Sequence, residues 1–373
     1  MSTRVLATSV RAPYSNTDRH PGPRGACLCA GGSAIGAPQN ISNHRERSAA
    51  MAEAFKVDAK DYDGPVLVTG AGGCIGSWAL KLLTDAGVPA VAFDLTEDKS
   101  RPNLLLSPEA LDTVTWRTGD IGDTETVAAV VRDEGIRAIV HLAALQVPFC
   151  IADPVAGAKV NVVGTVNVME AARHAGLKRV AYASSVGIHG MGPEEHFLAT
   201  LYGAYKLCDE MIAKVYLQDW KVPSVGIRPG VVYGVGRDQG MTSKTTVAIL
   251  AAAAGKPYTV PFCGAVPYVH AGEAAAAFLK AVSKERDDAP VFDLNGIPST
   301  VEAKLAIIEG LVPDAKVTCT GSPLPFPADL SDDPIRSYLG DYGTVSLEDG
   351  VKETLARFRA LLADGKVSAD GIA

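Results

Sequence analysis

From Pro65 onward the chain alternates short apolar runs with stretches of helical spacing, and no other feature narrows the possible folds so far. PVLVTG, PAVAFD, VTWRTGD, RAIVHLAA, KRVAYASS and PSVGIRPG read as six strands. Most are apolar without alternation, the mark of strands buried on both faces. Between them, CIGSWALKLLTDAG stops at Gly87, a helix C-terminus, and DTETVAAVVRDEG opens on Asp123, an N-cap. DPVAGAKVNVVGTVNVMEAARHAG reads as one long helix, and a further helix begins near Thr200. Strands and helices in strict alternation predict an α/β fold, a parallel sheet covered on both sides.

After about Gly234 the rhythm loosens. Short strands (YTVPF, VFDLN) mix with helices and turn-rich segments such as SPLPFPADLSDDP, which predicts a smaller, irregular C-terminal subdomain threaded with the main sheet. A last helix, SLEDGVKETLARFRALLADG, opens on the capping-type residues Ser346 and Asp349. VAILAAAAG, from Val247, falls short of the roughly 18–20 apolar residues of a membrane span and reads as a packed helix.

The first fifty residues differ from the rest. Arg4, Arg11, Arg19, Arg24, Arg45 and Arg47 face only Asp18 and Glu46, and no apolar period lasts. An Arg-rich, acid-poor lead of this kind is either a disordered extension, with Met51 serving as the effective start, or an organelle-targeting segment. It is set aside for the fold. The net charge of −7 and the lack of a Lys/Arg cluster argue against a nucleic-acid partner. Seven scattered cysteines, of which only Cys27 and Cys29 are close together, suggest reduced thiols and no zinc framework. The expected location is cytoplasmic unless the leader directs the chain to an organelle.

TGAGGCIG places Gly70, Gly73 and Gly76 at GxxGxxG spacing between a strand and a helix, with Cys74 and Ile75 in the same turn. Glycines permit the tight turn and the close approach of a pyrophosphate, while the helix N-terminus supplies N–H donors. Asp94 ends the next strand, where a carboxylate can bind ribose hydroxyls and repel the additional phosphate of NADP. The pair predicts dinucleotide binding, with NAD as cofactor.

Tyr202 and Lys206 stand four apart on the helix after the fifth strand and share one face, whereas Tyr205 points roughly 100° away. A lysine ammonium beside a phenol favours the phenolate, so the phenol can act as base in oxidation and acid in reduction. Lysine can also hold ribose hydroxyls. Of the tandem serines, one can donate to a substrate oxygen that gathers charge. His141 ends a strand and reads as structural. His189 and His196 are pocket or loop histidines, and no His/Asp/Glu set has metal-ligand spacing.

GDIGD (Asp120, Ile121), HLAALQ, KVNVVGTVNVMEAA with Asn161, YASS, YGAYK and RPGVVYG follow the glycine loop in order. As an ordered set they resemble the extended short-chain dehydrogenase/reductase family, which includes NAD-dependent epimerases and dehydratases, over about Pro65 to Gly365. The resemblance implies a Rossmann-type doubly wound parallel sheet with a smaller α/β C-terminal substrate subdomain. The implied division is an extension over 1–60, an NAD-binding domain over 61–234 and a mainly substrate-binding part over 235–373, interleaved with the core. It implies that Asp120 and Ile121 flank the adenine and that Leu142, Ala143 and Ala144 line the path to the nicotinamide ribose. Ser184, Pro229 and Val231 are implied as further cofactor-lining residues, Ser184 alternatively satisfying backbone. Ser185, five before Gly190, falls at the position of the catalytic hydroxyl, and Asn161 supports the catalytic helix through an ordered water. Relatives commonly pair into homodimers through the long helix and the Tyr202 helix.

Departures from the family pattern bear on the substrate. Val231 stands where sugar-nucleotide epimerases carry an asparagine. In VPYVHAGE, Val266 replaces an arginine that holds nucleotide phosphates, and Gly272 and Glu273 replace an acidic pair. A diphosphate facing valines would be poorly compensated. Arg237 and Lys244 are candidates to pair with a substrate carboxylate. The expected activity is NAD-dependent oxidation or reduction of a small polar substrate (a sugar, sugar acid or alcohol). The alternative is an NAD-dependent sugar or sugar-nucleotide epimerase or dehydratase. A nucleotide-sensing protein on the same fold would have no use for serine, tyrosine and lysine together.

Overall fold

The computed structural model describes residues 55, 57–190, 200–325 and 327–372. Its main sheet has seven parallel strands. They are β1 (Val66–Thr69), β2 (Ala90–Asp94), β3 (Thr115–Thr118), β4 (Ala138–His141), β5 (Val180–Ala183), β6 (Val225–Pro229) and β10 (Val291–Leu294). Across the sheet they run in the order β10-β6-β5-β4-β1-β2-β3. The six expected strands are all present, and the seventh comes from the C-terminal part of the sequence. Three further strands, β7 (Val231–Tyr233), β9 (Ala265–His270) and β11 (Ile297–Thr300), form a second sheet in the order β11-β9-β7. β8 (Tyr258–Val260) pairs with β12 (Val317–Cys319).

Successive strand residues point to opposite faces of a sheet, and here the two faces carry separate cores. Val66, Val68, Ala90, Ala92, Val140 and Ile227 pack with α1 (Cys74–Asp85) and α6 (Ala271–Ala281). Leu67, Val91, Ile139, Val180 and Tyr182 pack with α2 (Thr124–Asp133), α3 (Gly164–Ala175) and α4 (Leu201–Trp220). α6 is alanine-rich for a reason of space. A Cβ on Gly272 would lie 2.7 Å from Phe55 and 3.1 Å from Trp78. Phe55 itself, within the stretch assigned to the extension, is buried and stacks on His270.

Capping follows the sequence. Asp123 accepts from the Thr126 amide, Thr200 from Gly203, and Ser346 from Asp349 at the start of α8 (Leu347–Ala363). VAILAAAAG lies within α5 (Lys244–Ala253) and the turn after it. Among the described residues, no helix is long and apolar enough to cross a membrane.

The expected long helix is different in detail. Pro154–Ala158 is α-helical, Lys159–Val163 is a π turn, and α-helix resumes at Gly164. The cause is Asn161. Its side-chain amide donates to the carbonyl of Gly157 (3.0 Å), the oxygen that its own backbone N–H would use in an α-helix.

Candidate active site

β1 is hydrogen-bonded to β2 on one side and β4 on the other, so the winding reverses between β1 and β4. Ligands bind at such a reversal, beyond the carboxyl ends of the strands. A cavity of about 650 Å³ opens there. The turns after β1 and β4 meet closely: a Cβ on Gly70, whose φ is +68°, would lie 2.7 Å from the Ala143 nitrogen. A Cβ on Gly76 would lie 2.3 Å from the Gly70 carbonyl oxygen. No side chain larger than hydrogen fits that cradle. Gly73 is the N-cap of α1 with no side-chain cap, so the first-turn amides keep their donors for a ligand. Asp94 Oδ2 accepts from the Gly72 amide (2.9 Å), which ties the acid after β2 to the glycine turn.

Gly70, Gly73, Cys74, Ile75, Gly76, Asp94, Asp120, Ile121, Leu142, Ala143 and Ala144 all line this cavity. Asp120 is held by the Gly122 amide (2.8 Å) and Lys159 (2.6 Å), and the Lys159 hydrogen bond keeps its carboxyl below the usual range. Burial pushes the Cys74 thiol up to about 12, so it stays a neutral thiol on the cavity lining. A glycine cradle, open helix amides and a carboxylate at the end of β2 fit a dinucleotide. Such a cofactor would be held by Gly70, Gly73, Gly76 and Asp94.

Ser184, Ser185, Tyr202, Lys206, Pro229 and Val231 line the same cavity. Ser184 is buried and its hydroxyl donates to Glu210 Oε1 (2.5 Å). Ser185 is only half-buried. Its Oγ accepts from the Gly187 amide (3.1 Å), which leaves the hydroxyl proton to face the cavity. Lys206 is buried with its ammonium 3.2 Å from Asp209 Oδ2. Burial raises the Asp209 carboxyl to about 6, against the pull of Lys206. Tyr205 turns away, its hydroxyl donating to the Pro154 carbonyl (2.9 Å).

Asn161 stands behind this wall, fully buried. Its amide nitrogen donates to the carbonyls of Leu145 (3.2 Å) and Gly157, and its Oδ1 has no hydrogen-bond partner among the described residues. His141 bridges Thr69 (2.7 Å) and Thr165 (3.2 Å). Burial, helped by Lys206, drives its ring down to about 3, so it is neutral and structural. His189 is bound to Asp293 (2.7 Å), and Arg228 clamps Glu210 with two bonds of 2.7 Å. His196, Cys27 and Cys29 lie outside the described residues.

The substrate side is less regular. Val231 is almost fully buried, and Val266 is completely buried in β9, away from the cavity. Glu273 is buried against Arg336 (3.2 Å), and burial lifts its carboxyl to about 7. Arg237 lines the cavity. One guanidinium nitrogen donates to Thr242 (3.0 Å), and its buried Nε has no partner among the described residues. Lys244 does not line it. Reasoning from sequence missed Arg101, which joins Asp238 (2.8 Å) to the Gly72 carbonyl (3.1 Å) across the cavity mouth. Only its loop position, seven residues after Asp94, could have pointed to it. Pro325, from the turn-rich C-terminal segment, closes another edge.

A family model described as the NAD dependent epimerase/dehydratase family matches residues 66–294. A UDP-glucose 4-epimerase from Azospirillum brasilense is 34% identical over 157 residues, covering 40% of this chain and 43% of that protein. The chain spans about half the length of the curated relatives it matches. Among solved structures, the Thermus thermophilus UDP-glucose 4-epimerase complex with NAD superposes with a TM-score of 0.67 at 24% identity, over 79% of this chain and 99% of that one. The L-threonine dehydrogenase from Clostridium difficile superposes with 0.68 at 18% identity, over 82% and 99%. At these identities the structural likeness is one of fold.

Proposed function

The chain belongs to the NAD dependent epimerase/dehydratase family, and from that premise we propose that it is an NAD-dependent oxidoreductase acting on a hydroxyl or carbonyl of a small polar substrate. One observation carries the reading. A single cavity collects Gly70, Gly73, Gly76 and Asp94 with Ser185, Tyr202 and Lys206, while Val231 on its lining offers no group to a diphosphate. NAD bound there supplies the hydride acceptor. In oxidation the Tyr202 hydroxyl, as phenolate, takes the proton of the substrate hydroxyl, and the Lys206 ammonium offsets the phenolate charge. The Ser185 hydroxyl donates to the same substrate oxygen, its Oγ steadied by the Gly187 amide. Asn161 holds the Leu145 carbonyl and so the loop after β4. Arg237, whose buried Nε has no partner among the described residues, favours substrates that carry a carboxylate, such as sugar acids.

The second reading is an epimerase or dehydratase that regenerates its NAD in each turnover. It is favoured by the names of the sequence relatives, UDP-glucose 4-epimerases among them. Incubation of the pure protein with NAD and a panel of polyols, aldoses, sugar acids and UDP-sugars separates the two. NADH formed in step with product supports the oxidoreductase. An inverted or dehydrated sugar without net NADH overturns it.

A further inference from the structure

A second cluster of chemically competent side chains lies outside the cavity. Cys319 ends β12, opposite Val260 at the end of β8, and Cys263 follows Val260 by three residues. Glu302 stands in the first turn of α7 (Val301–Leu311), beside them. Cys319 Sγ lies 3.7 Å from Glu302 Oε1, and one ligand atom from each of the three residues lies within 4.8 Å of the others. The Gly264 amide donates to both carboxylate oxygens of Glu302 (3.1 and 3.2 Å), which orients the carboxylate and leaves each oxygen a further lone pair.

We propose that Cys263, Glu302 and Cys319 form a zinc site with three protein ligands and a fourth position open to solvent. The spacing carries the argument. Zinc bonds of about 2.3 Å to sulfur and about 2.0 Å to oxygen, set tetrahedrally, separate neighbouring ligand atoms by about 3.5–3.8 Å. Cys319 Sγ and Glu302 Oε1, 3.7 Å apart, are near that separation, and the Cys263 sulfur, within 4.8 Å of both, needs to close by about 1 Å at most. A disulfide would instead draw the sulfurs to about 2.05 Å and leave the carboxylate with no part in the cluster. Zn²⁺ would take both cysteines as thiolates, and their two protons would leave to solvent. Glu302 is exposed and both cysteines are half-buried, so an ion can enter from water. The site also has a structural reach. A Cβ on Gly264 would touch Pro323 at 3.1 Å, and the Thr320 amide is bonded to the Val260 carbonyl (2.9 Å). Zinc would fasten the root of the segment that carries Pro325 to the cavity edge.

The test uses the full chain, reduced, stripped of metal and titrated with Co²⁺. One equivalent should give a thiolate-to-cobalt charge-transfer band with visible bands of tetrahedral strength, and Zn²⁺ should displace it. About two protons should be released per ion. Cys263→Ser and Cys319→Ser should each abolish the two-thiolate spectrum. Glu302→Gln should weaken binding at least tenfold, and Cys208→Ser should change nothing. Unaltered melting and NAD binding in the variants show that they fold. Absence of the band in the parent protein overturns the proposal. So does its survival in the Cys263→Ser/Cys319→Ser double variant, or a native disulfide between these two cysteines whose reduced form binds no metal.

Discussion

The two walls of the cavity are built on different principles. The wall after β1, β2 and β4 is made of backbone: glycine turns, first-turn amides and one acid tied to the glycine loop by a 2.9 Å bond. The opposite wall is made of side chains from distant loops, with Arg237, Thr242 and Pro325 among them. Backbone geometry demands particular residue types at particular spacings. A wall of side chains demands only that something of suitable shape arrive, and many sequences satisfy it. On the proposed reading, the first kind of wall receives the cofactor and the second selects the substrate.

Substitutions at the boundary between the walls probe this contrast most severely. Tyr202→Phe is expected to lower kcat by about 10²–10⁴-fold, the range for losing a positioned general acid–base, with the NAD dissociation constant unchanged. Turnover measured beside NAD titration checks it. Retained activity would move the chemistry to another group. Gly76→Ala attacks the backbone wall alone. Its new Cβ would meet the Gly70 oxygen at 2.3 Å, so NAD affinity should fall by about 100-fold or more while circular dichroism reports a folded chain. A fall in substrate affinity at saturating NAD, with NAD binding intact, would break the division between the walls.

Arg237→Ala attacks the other wall. KM for acidic substrates should rise by about 10–100-fold, as for a lost charge-assisted hydrogen bond, while neutral substrates and NAD are unaffected. The smallest effect concerns stability. Asp209 is raised to about 6 by burial, so between about pH 4 and 6 the folded chain holds a proton that the unfolded chain has lost. Its contribution therefore declines as pH rises through that window and is level above it. Asp209→Asn should remove this slope, at most about 1.4 kcal/mol per pH unit within the window. Urea denaturation at pH 4.5, 5.5 and 6.5 reads the difference, and parallel curves for the two proteins would refute it.

Legibility in the sequence followed the same contrast. The glycine turn, Asp94, and Tyr202 and Lys206 on one helix face were readable because covalent geometry and helical period fix where such residues must stand. Asn161 was readable as a residue, but its π turn was not. The turn arises from competition between a side-chain amide and a backbone amide for one carbonyl. Arg101 was illegible because its partner, Asp238, is 137 positions away and only tertiary structure joins them. Ser184 and Ser185 differ in partner and exposure because Glu210, held by Arg228, accepts from Ser184 alone of the two.

The seventh strand has a practical consequence for dissecting the protein. β10 comes from the C-terminal part of the sequence yet zips in parallel register onto β6 from Val291 to Leu294. A fragment ended near residue 234 would keep the glycine turn and Asp94 but leave β6 as a raw sheet margin, with unpaired amides inviting a second chain. Such a fragment should self-associate. Studies of the cofactor wall in isolation are better made by point substitution in the intact chain than by shortening the gene.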